Sequence, residues 1–305
     1  MDNLTHSLVG ALLSQAGLKK LTGRATATLV IAANLPDIDA FATLLGTESL
    51  AIRRGITHGP IALLVLPVVL WGIMLAWDRW RPAKQEVKPL PLLGLAYLGA
   101  LTHPALDWLN SYGIRLLEPF SSRWVAADTL FIIDIWLWLI LAMTFTLGKL
   151  RERRGNRRWF VPARYGLGLI LGYIGLNGLI TAQAENQGAR LVQAQYRIQP
   201  ELVVANPVPV RFWARNILWR GEGVHGRGDY LFLDGPSVTG RPRDIALDHP
   251  VLTAQRDRSD VEAFLFWSRM PFIEERDGRV WLRDQRFDSE MTRDAFRVDL
   301  GDTDE

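Results

Sequence analysis

The chain has 305 residues, 49% of them hydrophobic and 22% charged, and it contains no cysteine. That excludes a disulfide framework and any thiolate metal site, and it leaves room for one large or two modest domains. A net charge of +3 and a pI near 9.3 could suit nucleic acid, but the basic residues cluster in short loops between apolar runs, so no nucleic-acid partner is expected.

Residues 4–18 form a short apolar segment carrying His6 and Gln15. The start, MDNLTH, has no basic n-region, which argues against a cleavable signal peptide. Lys19, Lys20 and Arg24 follow. Residues 25–45 are a second weak segment, interrupted by Asn34, Pro36, Asp37 and Asp39. Four strong segments come next, at 61–77, 90–109, 130–147 and 165–181. Each approaches the roughly 20 residues that cross a bilayer as a helix.

Further basic loops hold Arg79, Arg81, Lys84 and Lys88, then Lys149, Arg151, Arg153, Arg154, Arg157, Arg158 and Arg164. If all three clusters are cytoplasmic, the six segments alternate without conflict and the C-terminal region emerges outside. The expected fold is mainly α. A polytopic transmembrane helical bundle spans 1–183, with four strong and two weaker segments. A soluble extracytoplasmic α+β domain spans 184–305. The expected location is a bacterial inner (cytoplasmic) membrane.

Within 184–305, residues 208–219 and 230–233 read as strands, joined by a hairpin connection over Gly221 to Gly228. A helix is expected over 259–270, with Ser259 as N-cap, then a turn at Gly278 and a strand over 280–287. The tail after Asp299 reads as frayed. His225 and His249 read as surface loop histidines.

Three of the five histidines follow threonine beside an apolar run: Thr5-His6, Thr57-His58 and Thr102-His103. Polar groups in hydrocarbon need hydration, a partner or a metal. The topology collects His6, Asp37, Asp39, His58, His103, Asp107 and Asp134 in the outer half of the bundle, although none of them was used to orient it. His103-x-x-x-Asp107 puts an imidazole and a carboxylate on one helix face. In Asn34-Leu-Pro36-Asp37-Ile-Asp39, proline frees backbone, and the two acids point apart, one suited to a metal and the other to a neighbouring ligand.

Thr57 can cap the third segment, with Pro60 in its first turn and the helix dipole favouring neutral His58. Arg53 and Arg54 fall on the outer side, against the positive-inside trend, where they suit an anionic group such as phosphate. Asp134, inside FIIDIWLWL, needs a cation or a histidine partner, and Asp128 is its plainer neighbour at the wet end. Asn110, Ser111 and Glu118 are polar neighbours without a specific signal.

As an ordered set, TH-x-x-x-G at Thr5 to Gly10, PD-x-D at Pro36 to Asp39, RRG-x-TH at Arg53 to His58 and H-x-x-x-D-x-x-x-x-x-G at His103 to Gly113 resemble the YdjM-like inner-membrane proteins. Trp267-Ser-Arg-Met-Pro271 and Asp284-Gln-Arg-Phe287 resemble the C-terminal region of longer members. That resemblance implies a membrane-bound metal-dependent hydrolase. The pattern is distantly similar to zinc-dependent phospholipase C and the P1-type nucleases. No histidine lies between His103 and His225, so a second H-x-x-x-E pair is lacking and one or two ions are expected instead of three.

The first functional expectation is therefore a hydrolase using a divalent ion, zinc first and manganese or iron as alternatives. Asp39 or Asp37 would be the general base and Arg53 or Arg54 the oxyanion partner, acting on a lipid or lipid-linked phosphoester at the bilayer. The second is a non-catalytic, metal-stabilised scaffold for envelope partners. A transporter is disfavoured, because the polar groups gather on one side instead of spanning the bilayer.

Overall fold

A computed structural model of the chain describes residues 1–289, 292 and 294–302. It falls into two compact units, one of Met1–Asp39 with Arg54–Asn177 and the other of Ala40–Arg53 with Gly178–Glu305.

The first unit is helical. α1 (Asn3–Gln15) begins at Asp2, whose carboxylate accepts from the Thr5 amide at 3.0 Å, an N-cap. α2 (Ala25–Ala32) gives way to 3-10 turns over Leu35–Glu48, where Pro36 has no amide to continue an α-helix. The short α3 (Ser49–Ile52) belongs to the other unit. α4 (Pro60–Trp80) starts with Pro60, as expected, but its N-cap is Gly59 and not Thr57. α5 (Pro89–Asp107), α6 (Ile135–Arg153) and α7 (Val161–Tyr196) follow.

Two glycines set the helix packing. A Cβ on Gly10 would stand 2.6 Å from the Leu29 carbonyl oxygen, and one on Gly99 would stand 2.7 Å from Ala32 Cβ. Only glycine lets α1 and α5 come this close to α2. His6 lies one turn before Gly10 and His103 one turn after Gly99, so the same close approach carries both imidazoles to one place. On the other side of α1, Leu12 packs with Leu137 and Leu141 of α6 and with Ala163 and Ile170 of α7.

Three helical stretches are long and apolar enough to cross a membrane among the described residues: Ala25–Ile52, Pro60–Trp80 and Val161–Tyr196. The expected segment at 90–109 corresponds to α5 and the one at 130–147 to α6 from Ile135 onward, but neither is among these three stretches, whereas the weaker segment at 25–45 is. Apolar side chains such as Leu64, Val65 and Ile73 of α4 and Leu171 of α7 face outward, as a lipid-facing surface requires.

The second unit carries two antiparallel sheets. The first has β1 (Leu202–Pro207), β2 (Ala214–Gly221), β3 (Val224–Leu231) and β4 (Gly235–Asp244) in sequence order. Ile180, Ala184 and Val192 of α7 pack with Ala205, Ile217, Trp219 and Tyr230 of this sheet. The helices α8 (Pro250–Ala254) and α9 (Ser259–Trp267) precede the second sheet, β5 (Pro271–Arg276), β6 (Arg279–Asp284) and β7 (Arg297–Asp302).

Several sequence expectations shift here. The hairpin turn is only Glu222 and Gly223, and Gly226 and Gly228 lie inside β3. They read as loop glycines because they bear no side chain, but a Cβ on Gly226 would meet the Trp219 ring at 2.4 Å and one on Gly228 the Ser237 carbonyl oxygen at 2.1 Å. Ser259 does not cap α9; its hydroxyl donates to Glu48 Oε1 at 2.9 Å, and α9 stops at Trp267. β7 continues through Asp302 where fraying was expected, and 303–305 lie outside the described residues. His225 is buried on β3, not in a surface loop. His249 caps α8, accepting from the Val251 amide at 3.3 Å.

Candidate metal centre

Asp37, His58, His103 and Asp107 each bring one ligand atom to a common point in the first unit, all within 4.8 Å of one another. His58 Nε2 and His103 Nε2 are 3.2 Å apart. Asp37 Oδ1 lies 3.8 Å from His58 Nε2 and 3.6 Å from His103 Nε2. Asp107 Oδ2 lies 3.7 Å and 3.5 Å from the same two nitrogens. Four ligands about 2.0–2.1 Å from a tetrahedral zinc would be about 3.3 Å apart. These five separations, 3.2–3.8 Å, are close to tetrahedral edge lengths, and the donors suit a divalent cation.

Each element supplies its ligand for a local reason. His103 and Asp107 come from adjacent turns of α5, as their spacing implied. His103 Nδ1 lies 2.7 Å from the Ala33 carbonyl oxygen at the end of α2. That carbonyl can only accept, so Nδ1 carries a proton and Nε2 is the ring nitrogen turned to the cluster. His58 comes from the 3-10 turn Ile56–His58 before α4. Its Nδ1 is 2.9 Å from Thr57 Oγ1 and 3.5 Å from Asp39 Oδ2. Burial is the first cause holding the His58 imidazole below its ordinary pKa, with His103 adding to it and Asp39 opposing it. The helix dipole invoked from sequence is not needed to keep it neutral.

Asp39 thus stands behind His58. Its Oδ2 accepts from the Thr57 hydroxyl and the Arg54 amide, each at 2.8 Å. Thr57, expected as a helix cap, orients this carboxylate instead. Arg54 is buried, with Nε 3.1 Å from Asp107 Oδ2 and Nη1 donating to Asn110 Oδ1 at 2.9 Å. Its guanidinium lies over the Tyr112 ring at 4.7 Å. His6 stacks on His103 with centroids 3.8 Å apart, and its Nε2 is 3.3 Å from Asp107 Oδ1. The Met1 ammonium also meets Asp107 Oδ1.

Two expected site residues go elsewhere. Asp134 caps α6, accepting from the Trp136 and Leu137 amides at 3.0 Å each and from the Tyr173 hydroxyl. Those donors meet the need for a partner that sequence had assigned to a cation. Arg53 belongs to the other unit, where its amide donates to Ser49 O at 2.9 Å. Sequence reasoning missed the Ala33 carbonyl, which no side-chain pattern could reveal. It also missed Tyr173, whose polar tip within an apolar helix was an available signal.

An apolar helical unit with candidate membrane spans and a buried two-histidine, two-aspartate cluster that could hold a metal ion defines an integral membrane protein with a candidate metal centre. The family model described as YdjM inner membrane protein matches residues 1–184, and the chain belongs to that family. The match covers the unit's helices and all four cluster residues. No curated protein and no solved structure matches the chain.

Proposed function

We propose that the protein is a membrane-bound metal-dependent hydrolase acting on a phosphoester of a lipid or lipid-linked substrate. The observation that carries this reading is the buried set Asp37, His58, His103 and Asp107, with His103 anchored through Nδ1 on the Ala33 carbonyl so that Nε2 faces the cluster. The preference of mixed imidazole and carboxylate donors for zinc, manganese or iron agrees with it, and the distant likeness to zinc-dependent phospholipase C and P1-type nucleases expected from the motifs belongs to the same reading. A divalent ion bound there would supply an acidified water as nucleophile.

The chain's own residues divide the remaining work. Asp39 orients His58 and steadies its Nδ1 proton. Arg54 balances the charge of Asp107, and a guanidinium is suited to a phosphate oxygen that approaches it. Asp37 follows the Pro36 helix break and its side chain is the least buried of the four, so it or Asp39 would serve as general base. The positive-inside pattern of the Lys/Arg loops supports a reading in which the cluster lies toward the outer leaflet.

One observation favours the second reading, a metal-stabilised scaffold: four protein ligands fill a tetrahedron, whereas catalytic zinc keeps a position open. Phosphate release from phosphatidic acid by the purified protein in neutral-lipid nanodiscs separates the two. A hydrolase loses turnover on EDTA treatment and in His103→Ala, and regains it in the wild type with added zinc. Activity indifferent to both treatments would sink the hydrolase reading. A fall in melting temperature on chelation, with no turnover at any stage, would select the scaffold.

A further inference from the structure

The C-terminal unit contains a second chemically distinctive site. A cleft of about 610 Å³ is lined by β3, β4 and β5, at the junction of the two sheets. His225 and Arg227 line it from β3, Arg241 and Arg243 from β4, and Phe272 and Glu274 from β5, with Asp288 at one side.

The charges in this cleft do not cancel. Asp288 is taken by Arg227 and by Arg283, the latter at 3.2 Å, and Glu274 is taken by Arg283. Arg241 and Arg243 are exposed and have no carboxylate partner among the described residues. Arg243 pairs with His225 across the ladder, Arg241 lies where the β3–β4 register shifts, and both line the cleft. β4 is an edge strand, where charged side chains and proline guard against edge pairing, so the arginines by themselves do not mark a site.

His225 adds a second, independent signal. It is 95% buried, since only 5% of its surface is exposed, and its Nδ1 has no hydrogen-bond partner. Its ring lies 4.6 Å from that of Phe272. Burial, together with Arg227 and Arg243, holds its pKa down at about 4. A neutral imidazole can donate one hydrogen bond to a ligand oxygen without requiring a counter-charge. Residues 184–305 contain no lysine, so the cationic character of the cleft is entirely guanidinium, whose planar fork matches paired phosphate oxygens.

We propose that this cleft binds a phosphate monoester, with Arg241 and Arg243 on the phosphate oxygens and His225 and Phe272 forming the floor beneath them. The volume exceeds what a bare phosphate needs, so the ligand carries a further polar body. A free phosphorylated molecule and a lipid headgroup share this chemistry. The inference stands apart from the metal centre and does not rest on it.

The test uses the full chain in neutral-lipid nanodiscs, stripped of metal with EDTA so that the other site cannot hold phosphate. Glycerol 3-phosphate is titrated in one arm by calorimetry. In the other arm, phosphatidic acid is included in the nanodisc and retention is measured against a neutral-lipid control. Saturable binding in either arm is expected, and the arm that binds identifies the source. Arg241→Gln/Arg243→Gln should weaken it at least tenfold, and His225→Gln should weaken it less, while His103→Ala should leave it unchanged. Both arginines are exposed, so the double variant retains the fold. No binding in either arm, equal binding by the double variant, or loss in His103→Ala would each overturn the proposal.

Discussion

Asp107 is a fully buried carboxylate, and a charge in that position survives only with several partners. Oδ1 has the Met1 ammonium and His6, and Oδ2 has Arg54 and faces both cluster histidines. Removing the guanidinium should therefore cost more than a surface ion pair. Arg54→Met is expected to lower unfolding stability by about 3–5 kcal/mol, read from denaturant unfolding in detergent. A loss below about 1 kcal/mol would mean that Asp107 is neutral in the fold. The metal ligands give a sharper contrast. His103→Ala should abolish bound zinc measured by elemental analysis, whereas Asp39→Asn should keep it with affinity reduced roughly 10–100-fold against a competing chelator. Equal metal content and affinity in both variants and the wild type would remove the metal centre itself. At this scale the sequence was highly legible, because His103-x-x-x-Asp107 and Pro36-Asp-x-Asp39 are local patterns with fixed geometry. It was silent on which acid ligates and which orients, since that depends on Thr57 and on the Arg54 amide approaching Asp39 in space.

Helices bring these residues together only if their backbones approach closely. The α1–α2–α5 contact leaves no room at Gly99, where a Cβ would meet Ala32 Cβ at 2.7 Å and the Leu29 carbonyl oxygen at 2.9 Å. Gly99→Val should force α5 off α2, lengthen the His103 to Ala33 hydrogen bond and cost about 1–3 kcal/mol. Because His103 would lose its Nδ1 anchor, zinc affinity should fall in the same variant. Unaltered affinity alongside lost stability would show that the helix contact does not position the ligand. Asp134 supplies the opposite test on α6. Asp134→Ala removes an N-cap and the Tyr173 partner, and should cost about 1–2 kcal/mol, yet bound zinc should not change. Sequence reading could see an acid in an apolar run but not the helix start at Ile135, because Leu130 to Ile133 are as apolar as the helix that follows. The capping role became visible only once the start was known.

The two units also differ in how well sequence reveals them. The membrane part is written in long apolar runs, since every residue facing lipid must be apolar and the signal accumulates over many positions. The C-terminal sheets are written in short alternations, and β4 reads GPSVTGRPRD, a polar edge strand that resembles a loop. His225 sits on the strand next to it, and its burial makes the unit sensitive to acid. Its pKa falls from an ordinary 6.5 to about 4 in the fold. As pH drops through about 6.5, the unfolded chain takes up a proton that the folded chain refuses until about 4. Stability contributed by the neutral ring is therefore whole above that window and declines across it, by roughly 3 kcal/mol in total. Denaturant unfolding of the full chain, followed by tryptophan fluorescence in phosphate-free buffer between pH 7 and 4, should show this slope. His225→Gln cannot titrate, so the difference between the variant and the wild type should shrink as pH falls. A constant difference across the range would mean that the imidazole is hydrated in the folded protein, and the floor of the cationic cleft would then be open to water.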